Sequence, residues 1–222
     1  MHVCLVGSAG RLAAAIIRAA EREGVVISAS IDRNEAAPSG EETIDVVIDA
    51  STPEGTLRAT EIALNKGVPL VVCTTGLPSE VQRTLEEAAR SIPLLLAPNT
   101  SLGVAVVARM LQMMAGMLAG YSVRIEETHH VKKIDKPSGT ARLFAEFINS
   151  GGGERVHDEE VISHRTGDVV GAHTITFTGE SEVIRIEHEA VDRVLFGYGA
   201  IFAAKWLSNQ SPGKYTMQDV LD

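Results

Sequence analysis

The stretch His2-Val-Cys-Leu-Val6-Gly7-Ser8-Ala9-Gly10-Arg11-Leu12-Ala13 decides the fold of this 222-residue chain. A short apolar run from His2 to Val6 ends at a glycine turn. A helical pattern follows, with Leu12, Ile16, Ile17 and Ala20 on one face up to Gly24. In that context G-x-x-G-x-x-A describes a phosphate-binding element: Gly7 allows the tight turn, and Gly10 lets the backbone approach a pyrophosphate at the helix N-terminus. A plain strand-to-helix turn uses the same residues, so the reading depends on what comes next.

What comes next is a second β-branched run, Val25 to Ile31, ending at Asp32-Arg33. An acidic residue at the end of the second strand is where an adenosine ribose is read, and an adjacent arginine can meet a 2′-phosphate. Asp32 and Arg33 together suggest that both NADH and NADPH are accepted; an exposed turn pair would show the same two residues. Residues 34–43, with Pro38, Ser39 and Gly40, read as a short loop. Three further strand-like runs follow, Asp45 to Ala50, Val68 to Cys73 and Ile92 to Leu96, with helical patterns at 54–66 and 79–91 between them. Pro53 after Thr52 suits a first helical position, and Ser79 with Gln82 has the form of a capping box. Strands that are nearly continuous apolar runs, alternating with helices, describe a parallel sheet covered on both faces. Their carboxyl ends carry Ser51-Thr52-Pro53, Thr74-Thr75-Gly76 and Pro98-Asn99-Thr100-Ser101. Polar turns there are expected to line a cofactor crevice, although each alone is ordinary loop chemistry.

The pattern changes after residue 100. Leu102 to Leu118 reads as a long Met- and Ala-rich helix, and Tyr121 to Thr128 as a strand. Ala141 to Ile148 reads as a helix ended by Gly151-Gly152-Gly153. The runs Glu160 to His164, Gly171 to Thr178 and Val183 to Ala190, with short turns between them, predict an antiparallel meander. A helix from about residue 191 to Ser208 is expected to return to the first half. The fold class is therefore α/β: a Rossmann-type parallel-sheet nucleotide-binding domain over 1–100 and 191–222, plus a smaller α+β domain over 101–190 whose sheet is mainly antiparallel.

Between the two patterns lies Glu127-Thr-His129-His130-Val-Lys-Lys133-Ile-Asp-Lys-Pro-Ser-Gly139-Thr140-Ala141. Neighbouring histidines on an extended segment point to opposite sides and so do different work. Histidine exchanges its proton near neutral pH, and a lysine crowded by other cations is a plausible proton donor. Ser138-Gly139-Thr140 ahead of a helix offers an N-cap and N–H groups suited to a carboxylate. Adjacent histidines lack useful zinc-ligand spacing and no cysteine is near, so no metal is expected.

The composition narrows the classes further. Hydrophobic content of 45% and charged content of 22% are ordinary for a globular chain. A net charge of −9 disfavours bulk nucleic-acid binding. No apolar run reaches the roughly 20 residues of a membrane span. The opening residues do not read as a signal peptide, so a cytoplasmic protein is expected. Cys4 and Cys73, the two cysteines, fall in predicted buried strands and read as small core residues.

Residues 127–141 resemble the signature E-x-H-H-x-x-K-x-D-x-P-S-G-T-A of dihydrodipicolinate reductases, also called 4-hydroxy-tetrahydrodipicolinate reductases. Gly7 to Leu12 resembles that family's G-x-x-G-R-M, and Asp45 to Pro53 its D-V-x-I-D-F-T-x-P. Cys73 to Gly76 resembles its G-T-T-G, Asn99 to Gly103 its N-F-S-x-G. The run from Arg193 to Trp206 and the ending Pro212-Gly-Lys-Tyr215 also read as the family's. The chain departs from the pattern at Ala13, Ala50-Ser51, Cys73 and Thr100, all in the nucleotide-binding half.

The resemblance implies a reductase of lysine and diaminopimelate biosynthesis. A hydride would pass from NADH or NADPH to a cyclic hydroxy-dicarboxylate, with loss of water, giving tetrahydrodipicolinate. It implies His129 as proton donor or acceptor, Lys133 as proton donor, and His130, Gly139 and Thr140 as substrate-binding groups. It implies that Gly7, Ser8, Ala9, Gly10, Arg11, Leu12, Asp32, Arg33, Cys73, Thr74, Thr75, Ala97, Pro98, Asn99 and Thr100 surround the cofactor, and that the chain forms a homotetramer through the second domain's sheet. An NAD(P)-dependent oxidoreductase acting on a different cyclic or imino dicarboxylate is the alternative, and a non-catalytic nucleotide sensor the third reading.

Overall fold

The structure, a computed structural model, describes residues 1–32 and 42–222. Arg33 lies outside the described residues. The described residues form two compact units, Met1–Ser101 with Val194–Asp222, and Leu102–Arg193.

The first unit begins β1 (His2–Val6), α1 (Arg11–Arg22), β2 (Val26–Ile31). It continues β3 (Val46–Asp49), α2 (Pro53–Lys66), β4 (Leu70–Val72), α3 (Ser79–Ala88) and β5 (Pro93–Leu96). The second unit holds α4 (Leu102–Met117), β6 (Ser122–His129), α5 (Gly139–Ser150), β7 (Ile162–Arg165), β8 (Gly171–Thr178) and β9 (Val183–Ala190). The chain then completes the first unit with α6 (Val194–Leu207) and β10 (Gly213–Thr216).

Six parallel strands run in the order β10-β5-β4-β3-β1-β2. Both faces are buried, which is why the strands read as unbroken apolar runs. Cys4, Val47, Leu70, Val72 and Leu94 share a core with Ala59 and Ile62 of α2 and Leu85 of α3. On the other side α1 packs along α6, which also meets β3, β4 and β5. The chain leaves β1 for β2 on one side and then crosses to β3 on the other. The carboxyl ends of β1 and β3 therefore form a topological switch point, the place where open parallel sheets bind ligands.

Local chemistry sets the helix starts. Thr52 caps α2 by accepting from Gly55 N at 3.3 Å, with Pro53 at its first position. The expected capping box at Ser79 does not form. Pro78 occupies the cap with an extended ψ, Ser79 is already helical, and Gln82 instead donates to the Leu77 carbonyl at 2.8 Å.

The second unit's sheet runs β7-β6-β8-β9. The expected meander is corrected here: β7 pairs with β6, and in parallel. The reason is the crossover. Parallel neighbours need a connection long enough to hold a helix, and α5 supplies it between β6 and β7. In this sheet β8 and β9 form the hairpin, closed by Gly179 N to Glu182 O at 3.0 Å. The sheet's inner face, with Ile125, Ile175 and Phe177, packs on Leu111 of α4 and on Phe144 and Ile148 of α5.

α6 lies against α1 at closest approach through Gly197, where an added Cβ would stand 2.1 Å from the Ala15 carbonyl oxygen. Gly197→Ala should therefore push the two helices apart and destabilise the first unit by about 1–3 kcal/mol. A denaturant midpoint unchanged from the parent would contradict that packing.

Candidate active site

Among the described residues, two places concentrate functional chemistry, one in each unit. In the first, a cleft of about 840 Å³ opens at the switch point. Its walls are Val6, Gly7, Ala9 and Gly10 after β1, Ile31 and Asp32 after β2, and Ala50, Ser51 and Thr52 after β3. Glu54, Gly55 and Arg58 of α2 complete it. Its size suits a small-molecule site.

Gly7 adopts φ +85°, and a Cβ there would lie 2.6 Å from both the Ala50 carbonyl oxygen and Ser51 Cβ. Only glycine combines that backbone with that approach. The turn is tied down by Gly7 N to Ile31 O at 2.8 Å and Gly10 N to Gly7 O at 3.0 Å. Gly10 caps α1 without a side-chain acceptor, which suits a helix N-terminus meant to face a phosphate. These features fit a dinucleotide.

Of the residues expected around a cofactor, Gly7, Ala9, Gly10 and Asp32 line this cleft. Ser8, Arg11 and Leu12 belong to the same turn and the first turn of α1, but do not line it. Cys73, Thr74 and Thr75 end β4, and Ala97 to Thr100 end β5, along the same carboxyl edge of the sheet. Several of them are engaged structurally. Thr74 Oγ1 accepts from Ser51 N at 3.0 Å, and Thr100 Oγ1 donates to Phe196 O at 2.7 Å. Cys73 is buried, and burial pushes its thiol well above the usual range. Burial likewise raises Cys4, to about 11. Neither thiol is poised for chemistry.

Sequence reasoning missed Asp49, Glu54 and Arg58. Asp49 is fully buried at the end of β3 and accepts hydrogen bonds from Ser51 Oγ and, at 2.6 Å, Thr56 Oγ1. Burial raises its carboxyl. An acidic residue closing an otherwise apolar strand was its signal. Arg58 Nη1 donates to the Asp32 carbonyl oxygen at 3.2 Å, tying α2 to the end of β2.

In the second unit the carboxyl end of β6 carries the chemistry. Alternation along the strand puts Ile125, Glu127 and His129 on its buried face. His129 Nδ1 meets Glu127 Oε2. A carboxylate only accepts, so Nδ1 carries the proton and Nε2 the lone pair. Nε2 lies over Gly171, where a Cβ would stand 2.8 Å away. Arg165 Nη2 donates to the other Glu127 oxygen at 2.9 Å. His173 packs edge-on against His129 with ring centroids 5.2 Å apart. Its Nε2 lies 3.1 Å from Ser138 Oγ, which caps α5 by accepting from Ala141 N.

Burial pushes the Glu127 carboxyl up, but hydrogen bonds led by the one from Arg165 outweigh it and hold it below the usual range. His129 is pushed down, chiefly by burial and further by Lys133 and Arg165, against the pull of Glu127. His173 falls to about 3 through burial and the neighbouring histidines, and burial lowers His188. The imidazole of His129 is therefore neutral near pH 7.

His130 lies just past the strand. Its backbone N donates to Val169 O at 2.8 Å, while its buried Nδ1 has no partner in the protein. Lys133 Nζ pairs with Asp135 Oδ2 at 2.8 Å. Gly139 and Thr140 form the first turn of α5, behind the Ser138 cap. The site residues expected within 127–141 thus share one corner of the second unit. Glu127, His129 and His173 place ligand-type atoms within 4.8 Å of one another. With both Glu127 oxygens already held, one by a guanidinium, they describe a proton-handling cluster better than a cation cage.

A parallel sheet with a glycine turn and a cleft at its switch point puts the first unit in the Rossmann-type class, the architecture of dinucleotide-binding enzymes. Known proteins place the chain more narrowly. The family profile described as "Dihydrodipicolinate reductase, N-terminus" matches residues 1–100, and that described as "Dihydrodipicolinate reductase, C-terminus" matches 103–221. A 4-hydroxy-tetrahydrodipicolinate reductase of Archaeoglobus fulgidus is 34% identical, with 100% of both chains covered. One of Stenotrophomonas maltophilia is 38% identical, covering 100% of this chain and 98% of the relative. A solved structure, "Dipicolinate bound Dihydrodipicolinate reductase from Paenisporosarcina sp. TG-14", superposes with a TM-score of 0.82 at 21% identity, over 99% of this chain and 98% of that one. The chain belongs to the dihydrodipicolinate reductase family, whose members are NAD(P)H-dependent oxidoreductases.

Histidines held neutral by the fold give a sign for acid stability. For His173 the folded value, about 3, lies below the ordinary 6.5. Between those values the unfolded chain binds more protons, so stability is intact above about 6.5 and is lost as pH falls toward about 3. His129 and His188 act in the same direction, and Asp49 in the opposite one. His173→Gln should flatten the fall of the unfolding midpoint over that window; an unchanged slope would mean His173 is not buried neutral.

Proposed function

We propose that the chain reduces 4-hydroxy-tetrahydrodipicolinate to tetrahydrodipicolinate with NADH or NADPH, in lysine and diaminopimelate biosynthesis. The observation that carries this reading is the buried contact of Glu127 with His129 inside the family's intact signature, with Lys133 four residues on. The overall reaction adds a hydride and a proton to the cyclic hydroxy-dicarboxylate and releases water. The reduced nicotinamide supplies the hydride.

The chain's own residues handle the protons and the carboxylates. Glu127 fixes His129 as the Nδ1–H tautomer, so Nε2 accepts or relays a proton. The Lys133 ammonium donates one. The unpartnered Nδ1 of His130 and the N-terminus of α5 at Gly139 and Thr140 suit the two carboxylates of the substrate. In the first unit the Gly7–Leu12 turn and Asp32 hold the nucleotide, with Arg33, the 73–75 turn and residues 97–100 completing its surroundings. Asp32 favours a ribose hydroxyl and Arg33 a phosphate, so both nucleotides are used. Homotetramer formation through the second unit's sheet and a cytoplasmic setting go with this reading.

Substrate generated in place by the preceding synthase, with oxidation of NADH and of NADPH followed in parallel, tests the reaction. Substrate-dependent oxidation of both is expected, with kcat/KM values within about tenfold of each other, a ΔΔG‡ of ~1.4 kcal/mol. Lys133→Met should lower kcat by about 10²–10⁴-fold while nucleotide affinity is retained. Nucleotide binding without turnover would move the substrate to a different cyclic or imino dicarboxylate.

A further inference from the structure

Arg165 is far from the signature in sequence, yet its guanidinium ends among the signature's residues. The β6–β7 register sets Arg165 beside His129. Nη2 donates to Glu127 Oε1 at 2.9 Å and to the Asp135 carbonyl oxygen at 2.5 Å. Nε donates to the Lys133 carbonyl oxygen at 3.2 Å, and Nη1 to that of His164 at 2.6 Å. The side chain is 9% exposed and its Glu127 partner 0%. One planar fork therefore holds a carboxylate and three carbonyls, which a lysine's point charge could not do at once.

We propose that Arg165 is a positioning residue for the reaction: it presses the Glu127 carboxylate against His129 and at the same time anchors the main chain of Lys133 and Asp135. The imidazole and the ammonium are thereby set in register by a single side chain. This rests on the assignment of His129 and Lys133 to proton transfer. Apart from the clamp, the segment from Val131 to Lys136 is held at its ends, by Val131 N to Gly167 O at 3.2 Å and Arg142 Nη2 to Lys136 O at 3.4 Å, with the Lys133–Asp135 ion pair inside it. Val131, Lys132, Ile134, Asp135 and Lys136 are exposed, and Lys133 N to His130 O, 3.1 Å, is a single turn contact. Without the clamp the main chain at Lys133 and Asp135 would lose its side-chain anchor, and a misplacement of the ammonium by ~1 Å is enough to cost about 10²-fold in rate.

The clamp also sets the charge around His129. The groups facing that imidazole are Glu127 on its own strand, Arg165 from β7, His173 from β8 with His188 beyond it, and Lys133 from the following loop. Removing the guanidinium takes away a positive charge that disfavours protonation of His129, so the imidazole should protonate at higher pH.

The test uses Arg165→Met and Arg165→Lys in the full chain, with three readouts. Turnover should fall by about 10²-fold in both variants while NADPH affinity stays within about twofold. The acid limb of kcat/KM should move to higher pH in Arg165→Met. The ring-nitrogen resonances of His129, identified by their loss in His129→Gln, should show a fixed Nδ1–H tautomer in the parent and exchange between tautomers in Arg165→Met. This last readout needs no substrate. If Arg165→Met fails to unfold cooperatively, Arg165→Lys carries the comparison. Parental kcat, pH profile and His129 spectrum in the variants would overturn the clamp alone. Absence of substrate-dependent turnover in the parent, with the His129 tautomer still fixed by Arg165, would overturn the assigned reaction instead.

Discussion

A buried carboxylate cannot stand alone in a protein core, and the second unit is arranged around satisfying one. Glu127 is drawn out of water on the inner face of β6 because that face is also the hydrophobic one, carrying Ile125 two residues earlier. Desolvating an ion is costly unless its oxygens are paired, so the fold must bring both an imidazole and a guanidinium to it. His129 comes from the same strand, Arg165 from the parallel neighbour β7, and His173 closes the corner from β8. The result is an imidazole kept neutral by burial yet locked in one tautomer by its partner. That state is useful for moving a proton and is unstable unless every neighbour is in place.

The topology explains how distant residues reach that corner. α5 carries the chain from the end of β6 to the start of β7, so the Pro137-Ser138 turn and the histidine stretch are consecutive parts of one crossover. Residues 166–170 then step across the end of β6. They are pinned by His130 N to Val169 O, Val131 N to Gly167 O and Thr166 N to His129 O, at 2.8, 3.2 and 2.9 Å. The first unit solves a different problem with the same economy. A glycine turn, an acidic strand end and a helix N-terminus meet at the one place where strand order reverses.

Much of this was legible in the sequence, for physical reasons that can be named. Parallel strands buried on both faces leave unbroken apolar runs, so β1, β3, β4 and β5 could be read directly. β10 could not, since Gly213-Lys214-Tyr215-Thr216 is short, half-exposed and lies at the sheet edge. The pairing of β7 was misread because a short turn suggested a hairpin, whereas the helix before it had already set the parallel course. Glu127 could have been paired with His129, because residues two apart on a strand share a face. Arg165 and His173 could not, since their approach depends on strand register that one sequence does not reveal. Asp49 was visible as an acid ending an apolar run, but its hydrogen-bonded burial depends on Thr56, seven residues on in the first turn of α2.

In the proposed mechanism the Glu127-bound imidazole moves protons and does nothing for the nucleotide. The most direct test is His129→Gln, with kcat and NADPH dissociation measured on the same preparation. kcat should fall by about 10²-fold or more while the dissociation constant holds near the parent's. Near-parental kcat in that variant, or a loss confined to nucleotide binding, would contradict it.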